Sequence, residues 1–156
     1  MTSAVKLTVP PRGVIRMINP AVRLVLSSPL HELLDPAVVL LHVTGRKTGR
    51  RYDIPVGYAL IDGRLTVLTA GAWRVNLRGV ADVEVTWQGR RRRMHAMLEE
   101  EPAAVAVACQ RVIDRLGWRQ ASRQLGISGS DDRQPTLLEL KEAAAEYRWA
   151  VITLTT

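Results

Sequence analysis

Residues 39–77 constrain the fold more than any other part of the sequence, because three apolar segments are separated there by two turn signals. The second segment contains Pro55 and ends at Asp62-Gly63, a pair that favours a tight hairpin. Short apolar runs bounded by Gly, Pro and Asp are typical of β-strands. The sequence therefore predicts three consecutive strands, with Pro55 at a sheet edge or a bulge.

The loop after the first strand, called the basic loop (residues 44–51), holds four cations within six residues. It reads Thr44-Gly45-Arg46-Lys47-Thr48-Gly49-Arg50-Arg51. Gly45 and Gly49 can each adopt a positive φ and let the backbone approach a ligand closely. Guanidinium, ammonium and hydroxyl groups in such a loop suit a phosphate or a chain of carboxylates. The other interpretation is a solvated basic hairpin turn, and the spacing alone does not choose between the two.

The net charge of +7 is concentrated in the middle of the chain. Residues 40–95 contain eleven Lys and Arg against four Asp and Glu, whereas the rest of the chain is balanced. Such a block attracts a polyanionic cofactor, a nucleic acid or an acidic membrane surface. Nucleic acid is the least expected partner. The arginines of residues 90–93 must divide between two faces of a strand, and only 4% of the residues are aromatic.

Composition narrows the class of protein further. The 156 residues predict one domain, 1–156, and no run of 18 apolar residues indicates a membrane-spanning helix. The N-terminal sequence lacks the apolar region of a signal peptide, so a cytoplasmic location is expected. Cys109 is the only cysteine, which excludes an internal disulfide, and the three histidines lack metal-ligand spacing. No metal site is predicted.

The order of elements predicts an α+β fold. Residues 1–10 are expected to be a loose arm and 11–34 to be helical, with basic residues that suit peripheral membrane contact. Residues 38–98 are predicted as a β-meander, 102–146 as helices around a polar loop at 128–132, and 147–154 as the last strand. Grouped strands favour a six-stranded antiparallel sheet, and a sheet of this size usually closes into a barrel that removes its edges.

Taken in order, these signals resemble the deazaflavin-dependent nitroreductase family, whose members are split β-barrel proteins found largely in actinobacteria. The resemblance covers residues 40–96. It depends on the Thr-Gly-Arg-Lys-Thr-Gly loop, the strand with Pro55, the Asp-Gly hairpin, the Thr-Ala-Gly strand end and Trp-x-x-Asn-Leu. The resemblance implies coenzyme F-420 as the cofactor, with flavin mononucleotide as the second choice, and a homodimer as the assembly.

The resemblance also implies the cofactor-binding residues. In that family the basic loop binds the phosphate and acidic tail, the strand proline lines the site, and the Thr-Ala-Gly strand end contacts the cofactor. Matched position by position, these residues are Arg46, Lys47, Thr48, Pro55, Thr69, Ala70 and Gly71, followed by Trp73 and Asn76. Arg50 and Arg51 add charge for the same anion. Asn76 is expected either to hydrogen-bond the cofactor ring or to cap a helix.

The implied reaction is hydride transfer from reduced coenzyme F-420 to a quinone-like or unsaturated small molecule. No catalytic residue is assigned. The alternative is a non-catalytic split barrel that binds a lipid, a tetrapyrrole or another anionic small molecule. Typical members have Ser-Lys-Gly-Gly and several more residues before the tryptophan, whereas here Ala70-Gly71-Ala72 leads straight into Trp73. Trp73 is expected either to stack beside the ring or to fill its space. Tyr52 replaces a frequent family arginine, and the tyrosine-rich C-terminal region is absent, so nitroreduction itself is not expected.

Overall fold

The computed structural model describes residues 5–7, 38–129 and 133–156. The predicted helices of residues 11–34, and the membrane contact expected of them, lie outside the described residues. The strands are β1 (Val5–Leu7), β2 (Val38–Thr44), β3 (Arg51–Gly57), β4 (Ala59–Ile61), β5 (Arg64–Thr69), β6 (Asp82–Trp87), β7 (Arg90–Glu99), β8 (Ile127–Gly129) and β9 (Ala150–Thr155). The helices are a 3₁₀ helix (Ala72–Leu77), α1 (Pro102–Leu116), α2 (Trp118–Leu125) and α3 (Leu137–Glu146). The predicted α+β class is confirmed.

Seven strands form one antiparallel sheet in the order β3-β2-β6-β7-β9-β5-β4. The prediction of six strands was wrong because the segment expected as one strand, residues 52–61, forms both β3 and β4. These two strands lie at opposite edges of the sheet with only Tyr58 between them, so the edges meet there and the sheet curls into a split barrel. Pro55 lies on β3, an edge strand, opposite Leu40.

Two further expectations are corrected by the strand pairing. Residues 38–98 do not form a simple meander, because β2 lies between β3 and β6, and β9 is inserted between β5 and β7. Part of the expected loose arm is a strand, since β1 pairs antiparallel with β8. The polar loop predicted from residue 128 therefore begins with a strand.

The described residues pack around two apolar clusters. The barrel interior is filled by alternate residues of its strands, such as Leu41 on β2 and Ile152 on β9, and by Tyr58 at the corner. The second cluster lies between the three α-helices and the strands β4, β5 and β9, with Trp149 and Cys109 fully buried. None of the helices in the described ranges has the length and hydropathy that a bilayer crossing requires.

Local signals explain where the helices begin and end. The carboxylate of Glu101 accepts from the backbone N–H of Ala104 at 2.9 Å at the start of α1, and Pro102 occupies the first turn. Gly117 ends α1 with a φ of 81°. A capping box of Thr136 and Glu139 opens α3. The hydrogen bond from Arg133 lowers the pKa of Glu139 to about 2.

Candidate cofactor site

The basic loop is folded tightly on itself. The backbone N–H of Gly45 donates to the carbonyl of Arg50 at 2.7 Å, and that of Gly49 donates to the carbonyl of Gly45 at 2.9 Å. Glycine is favoured at these two positions for different physical reasons. Gly49 has a φ of 69°, whereas Gly45 lacks a positive φ but leaves little room for a Cβ, which would lie 3.1 Å from the Tyr52 ring and would push it away slightly. The hydroxyl of Thr48 accepts from the N–H of Arg50 at 3.2 Å.

Asn76 fastens the basic loop to the 3₁₀ helix. Its side-chain oxygen accepts from the backbone N–H of Arg46 at 3.0 Å, while its amide nitrogen donates to the carbonyl of Trp73 at 3.0 Å. The guanidinium of Arg46 donates to the carbonyl of Val75 at 3.2 Å. The expected cap was wrong, because no side chain caps the 3₁₀ helix. Asn76 and Arg46 therefore fix the loop against the segment that follows β5.

The four cations of the basic loop are not equivalent. Arg51 pairs with Glu84 at 2.6 Å, and Arg91 binds the same carboxylate at 2.5 Å. Lys47 and Arg50 are exposed, and within the described part of the chain neither has a carboxylate partner. These two side chains are therefore the charges that the loop can offer to an anionic ligand.

The end of β5 forms a second part of the site. The Thr69 hydroxyl accepts from the N–H of Gly71 at 2.9 Å. The indole of Trp73 lies directly against Gly71, so that a Cβ on Gly71 would overlap it. Trp73 is half-buried and packs against the barrel interior. The short connection predicted from the sequence thus places a bulky ring over the strand end.

A cluster of two arginines and one glutamate supports that strand end. Arg74, with a side chain only 12% exposed, donates to Glu100 at 3.1 Å and to the carbonyl of Gly71 at 2.9 Å. Arg78 donates to both oxygens of Glu100, at 2.8 and 2.9 Å. The hydrogen bond from Arg78 lowers the pKa of Glu100, and the bond from Arg74 acts in the same direction. The sequence analysis gave Glu100 no such role.

His42 forms a buried polar array that the sequence analysis missed. Its Nδ1 lies 2.6 Å from Oδ1 of Asp53, and its Nε2 lies 2.8 Å from the Thr86 hydroxyl. The side chains of His42 and Asp53 are only 5% and 15% exposed. The two residues face each other across β2 and β3. The sequence analysis predicted both strands but no register between them, and that register is the signal that would have paired His42 with Asp53.

A cleft of about 390 Å³ opens beside this array. It is bordered by the end of β2, the start of β6 and the 3₁₀ helix, and its apolar wall includes Val43, Leu77 and Val83. Among the described residues, its polar lining comprises His42, Thr44, Arg51, Asn76, Asp82, Glu84 and Arg93. The cleft thus reaches from the base of the basic loop to His42.

The arginines of residues 90–93 divide between the two faces of β7, as predicted. Arg91 binds Glu84, and Arg93 lies 3.4 Å from Asp82. The guanidinium of Arg92 lies over the ring of Trp87 at 5.1 Å. Because Leu40 of β2 pairs with Thr86 of β6, the 87–90 hairpin lies at the opposite end of β2 from the basic loop. The tip of this hairpin therefore does not cover the loop.

The predicted site residues form two groups joined by the 3₁₀ helix. The loop group contains Arg46, Lys47, Thr48, Arg50 and Asn76, and the strand-end group contains Thr69, Ala70, Gly71 and Trp73. Arg51 is drawn toward Glu84, and Pro55 lies further along β3. In the described ranges no group of His, Cys, Asp and Glu side chains is arranged to hold a metal ion.

The curled sheet and the basic loop define a split-barrel protein of the flavin and deazaflavin class. A model of the family described as F420H(2)-dependent quinone reductase matches residues 19–124. The chain belongs to this family of deazaflavin-dependent oxidoreductases, and the resemblance identified from the motifs is confirmed. Coenzyme F-420, which the sequence resemblance implied as the cofactor, is the cofactor of this family. No curated protein matches the chain.

Solved structures give a more distant likeness. An F420-H2 dependent reductase is 16% identical over 76% of this chain and 94% of its own, with a TM-score of 0.41. A pyridoxamine 5'-phosphate oxidase-related, FMN binding protein from Nostoc punctiforme is 15% identical over 95% and 81%, with a TM-score of 0.44. A protein described as a domain-swapped dimer is 16% identical over 93% and 99%, with a TM-score of 0.43. At these scores the likeness carries no functional argument.

The residues present fit the anionic part of the coenzyme. The loop offers ammonium, guanidinium and hydroxyl groups and no carboxylate, which is a donor set for phosphate and carboxylate oxygens and not for a metal. Its backbone is held by internal hydrogen bonds and by Asn76, so the donors need little ordering on binding.

Proposed function

We propose that this protein is a reductase that transfers a hydride from reduced coenzyme F-420 to a quinone-like or unsaturated small molecule. The observation that supports the proposal best is the basic loop, which is held in place by Asn76 and presents Lys47 and Arg50 without carboxylate partners in the described part of the chain. Membership of the F420H(2)-dependent quinone reductase family points to the same chemistry.

Each part of the site has a task in this proposal. Lys47, Arg50 and the Thr48 hydroxyl bind the phosphate and the carboxylate tail, while Arg46 and Arg51 add to the positive potential. Pro55 and the strand end of Thr69, Ala70 and Gly71 line the ring site. Trp73 forms one wall of the ring site and excludes water from it. Asn76 holds the basic loop at a fixed position relative to Trp73 through its two hydrogen bonds. The coenzyme supplies the hydride when bound, and the protein supplies its orientation.

The test is a titration of the purified protein with coenzyme F-420, followed by a quinone reduction assay. Replacing both Lys47 and Arg50 by Ala should weaken binding by roughly 2–4 kcal/mol, or about 30- to 900-fold in Kd, because two charge-assisted contacts are lost. Binding should also weaken with salt. The matched control replaces Arg64 and Arg90, two exposed cations of other hairpins. Equal losses in both variants, or no binding to the wild type, would contradict the proposal.

A non-catalytic binder is the second candidate, because the Trp73 indole lies against Gly71 where the cofactor ring is expected. If Trp73 stacks on the ring, Trp73→Ala should lose affinity for coenzyme F-420, and the wild type should oxidise the reduced coenzyme with a quinone. If Trp73 blocks the ring, the same variant should gain affinity, and the wild type should show no turnover. The two outcomes are opposite in sign.

We also propose that the protein is a homodimer in the cytoplasm. The dimer rests on the resemblance noted in the sequence, and the location rests on a single cysteine that is buried. Light scattering at high protein concentration tests the dimer. A strict monomer there would remove this part of the proposal and leave the hydride transfer untouched.

A further inference from the structure

Helix α1 is apolar on the side that faces solvent as well as on the side that faces the sheet. Residues 103–109 read AAVAVAC, without a polar side chain. Val105 and Cys109 are buried against the rest of the protein, whereas Val107 is 47% exposed. A helix on a protein surface carries polar residues on its outer face, and a helix that is apolar all round is covered on both sides. The outer face of α1 is therefore suited to a further contact.

A groove of about 450 Å³ runs along this outer face. Within the described ranges its lining comprises Glu99, Ala103, Ala104, Val107, Ala108 and Arg111. Three of the six are alanines, whose small side chains let a second helix approach closely. Met97 lies on the same face of β7 as Glu99 and is 61% exposed, so it adds a second large apolar side chain to this surface.

The groove has one charged side chain of each sign. Glu99 lies at the end where α1 begins, and Arg111 lies about 12 Å further along the helix than Ala103. Neither forms an ion pair with another residue in the described part of the chain, and the Glu99 carboxylate accepts from the backbone N–H of Glu101 at 2.9 Å. Both charges therefore remain available to a partner.

The order of these groups along the groove is self-complementary. Ala103, Val107 and Arg111 are four residues apart and form one ridge of the helix, with Val107 in the middle. A two-fold axis at Val107 lays this ridge antiparallel on a second copy of itself. Val107 then packs against its own equivalent, and Glu99 of each chain lies opposite Arg111 of the other. A membrane surface or a nucleic acid would instead favour a single excess of positive charge.

We propose that this face of α1 is where the two chains meet in the homodimer proposed above, on which this inference rests. The contact buries Val107 and Met97, and two pairs of Glu99 with Arg111 close its rim. One helix face is small beside the roughly 800 Å² that each partner buries in a stable complex, so the dimer dissociates on dilution. The groove contains no residue of the candidate cofactor site, so dimer formation and cofactor binding are independent.

The first test is analytical ultracentrifugation of the full chain over a series of concentrations. Val107→Glu should raise the Kd of the dimer at least ~100-fold, because the two-fold axis places the two new carboxylates against each other. Leu138→Glu is the matched control, because Leu138 is 64% exposed but does not line the groove. Its dimer Kd should change by less than about 2-fold.

The second test exchanges the two charges. Arg111→Glu and Glu99→Arg should each raise the Kd of the dimer at least ~10-fold, because like charges then face each other twice. A mixture of the two variants should form a dimer again, since each chain supplies the sign that the other lacks. The double variant should also self-associate. Two weakened variants that do not associate on mixing would overturn the proposed two-fold pairing.

The remaining outcomes separate this inference from the proposals on which it rests. A wild-type dimer that Val107→Glu leaves intact overturns the inference and leaves the homodimer standing. If Val107→Glu instead lowers Tm at concentrations at which the wild type is a monomer, another part of the same chain covers the face, and the inference is again overturned. A wild type that stays monomeric at high concentration overturns the inference and the homodimer together, whereas the cofactor titration tests the hydride transfer separately.

Discussion

Replacing Glu100 by Gln removes the negative charge that holds two arginines while it keeps the shape of the side chain. Arg74 would then keep its bonds to the carbonyls of Ala70 and Gly71 but lose its counter-charge. Because the Arg74 side chain is only 12% exposed, water does not fully replace the lost partner. The strand end that carries Gly71 should loosen as a consequence.

The magnitude follows from the exposure of the pair. A hydrogen bond to a charged group contributes roughly 1.5–3 kcal/mol, and the upper end needs discounting because Glu100 is 30% exposed and solvent screens it. We expect Glu100→Gln to lower the free energy of unfolding by about 1–2 kcal/mol after this discount, which is about 2–8 °C in Tm for a chain of this size. Arg78→Ala is the control and should have a smaller effect, since Arg78 is half exposed.

The effect should depend on pH with a defined sign. The bond from Arg78 lowers the pKa of Glu100 in the folded state. The stability from this carboxylate is therefore present above its unfolded pKa of about 4.3 and is lost as the pH falls through the lower folded value. Urea unfolding of the wild type and of Glu100→Gln, followed by tryptophan fluorescence at neutral and acidic pH, measures the loss of stability and its dependence on pH. The reasoning is refuted if Glu100→Gln matches the wild type at pH 7, or if the difference persists undiminished in acid.

Two further outcomes are expected. Gly71→Ala should lower the free energy of unfolding by about 1–3 kcal/mol, because the added Cβ overlaps the Trp73 indole. The loss should be smaller in a Trp73→Ala background. Urea unfolding of the wild type, the two single variants and the double variant measures the difference. Cys109, buried with its pKa raised to about 12 by desolvation, should resist a thiol reagent at pH 8 until the protein unfolds. Rapid labelling of the native protein would contradict the packing of α1 against the sheet.

Elements with local signals were predicted well from the sequence. Helix α1 begins at Pro102, where the helical region was predicted to start, and ends before Gly117, which has a positive φ. The Asp62-Gly63 hairpin has a positive φ at both residues, at 50° and 77°, which is the backbone geometry that the pair favours. In each case a few neighbouring residues decide the structure.

Features that depend on distant partners could not be predicted in the same way. Tyr58 separates β3 from β4, and these two strands lie at opposite edges of the sheet. No residue near Tyr58 indicates this break, because the position of each strand is set by its partner, β2 for β3 and β5 for β4. The His42 array has the same origin, since Thr86 reaches it only through the pairing of β2 with β6. Histidine spacing along the chain therefore gave no sign of it.

The positive charge shows why a site cannot be inferred from composition alone. The sequence places all the excess charge in one central block, which suggests a broad field. In the folded chain much of that charge is neutralised in pairs, with Arg51 and Arg91 on Glu84 and with Arg74 on Glu100. Lys47 and Arg50 differ from these arginines because their loop contains no acidic residue and neither side chain has a carboxylate partner among the described residues. In the proposed function it is these two loop cations, and not the net charge of +7, that bind the anion.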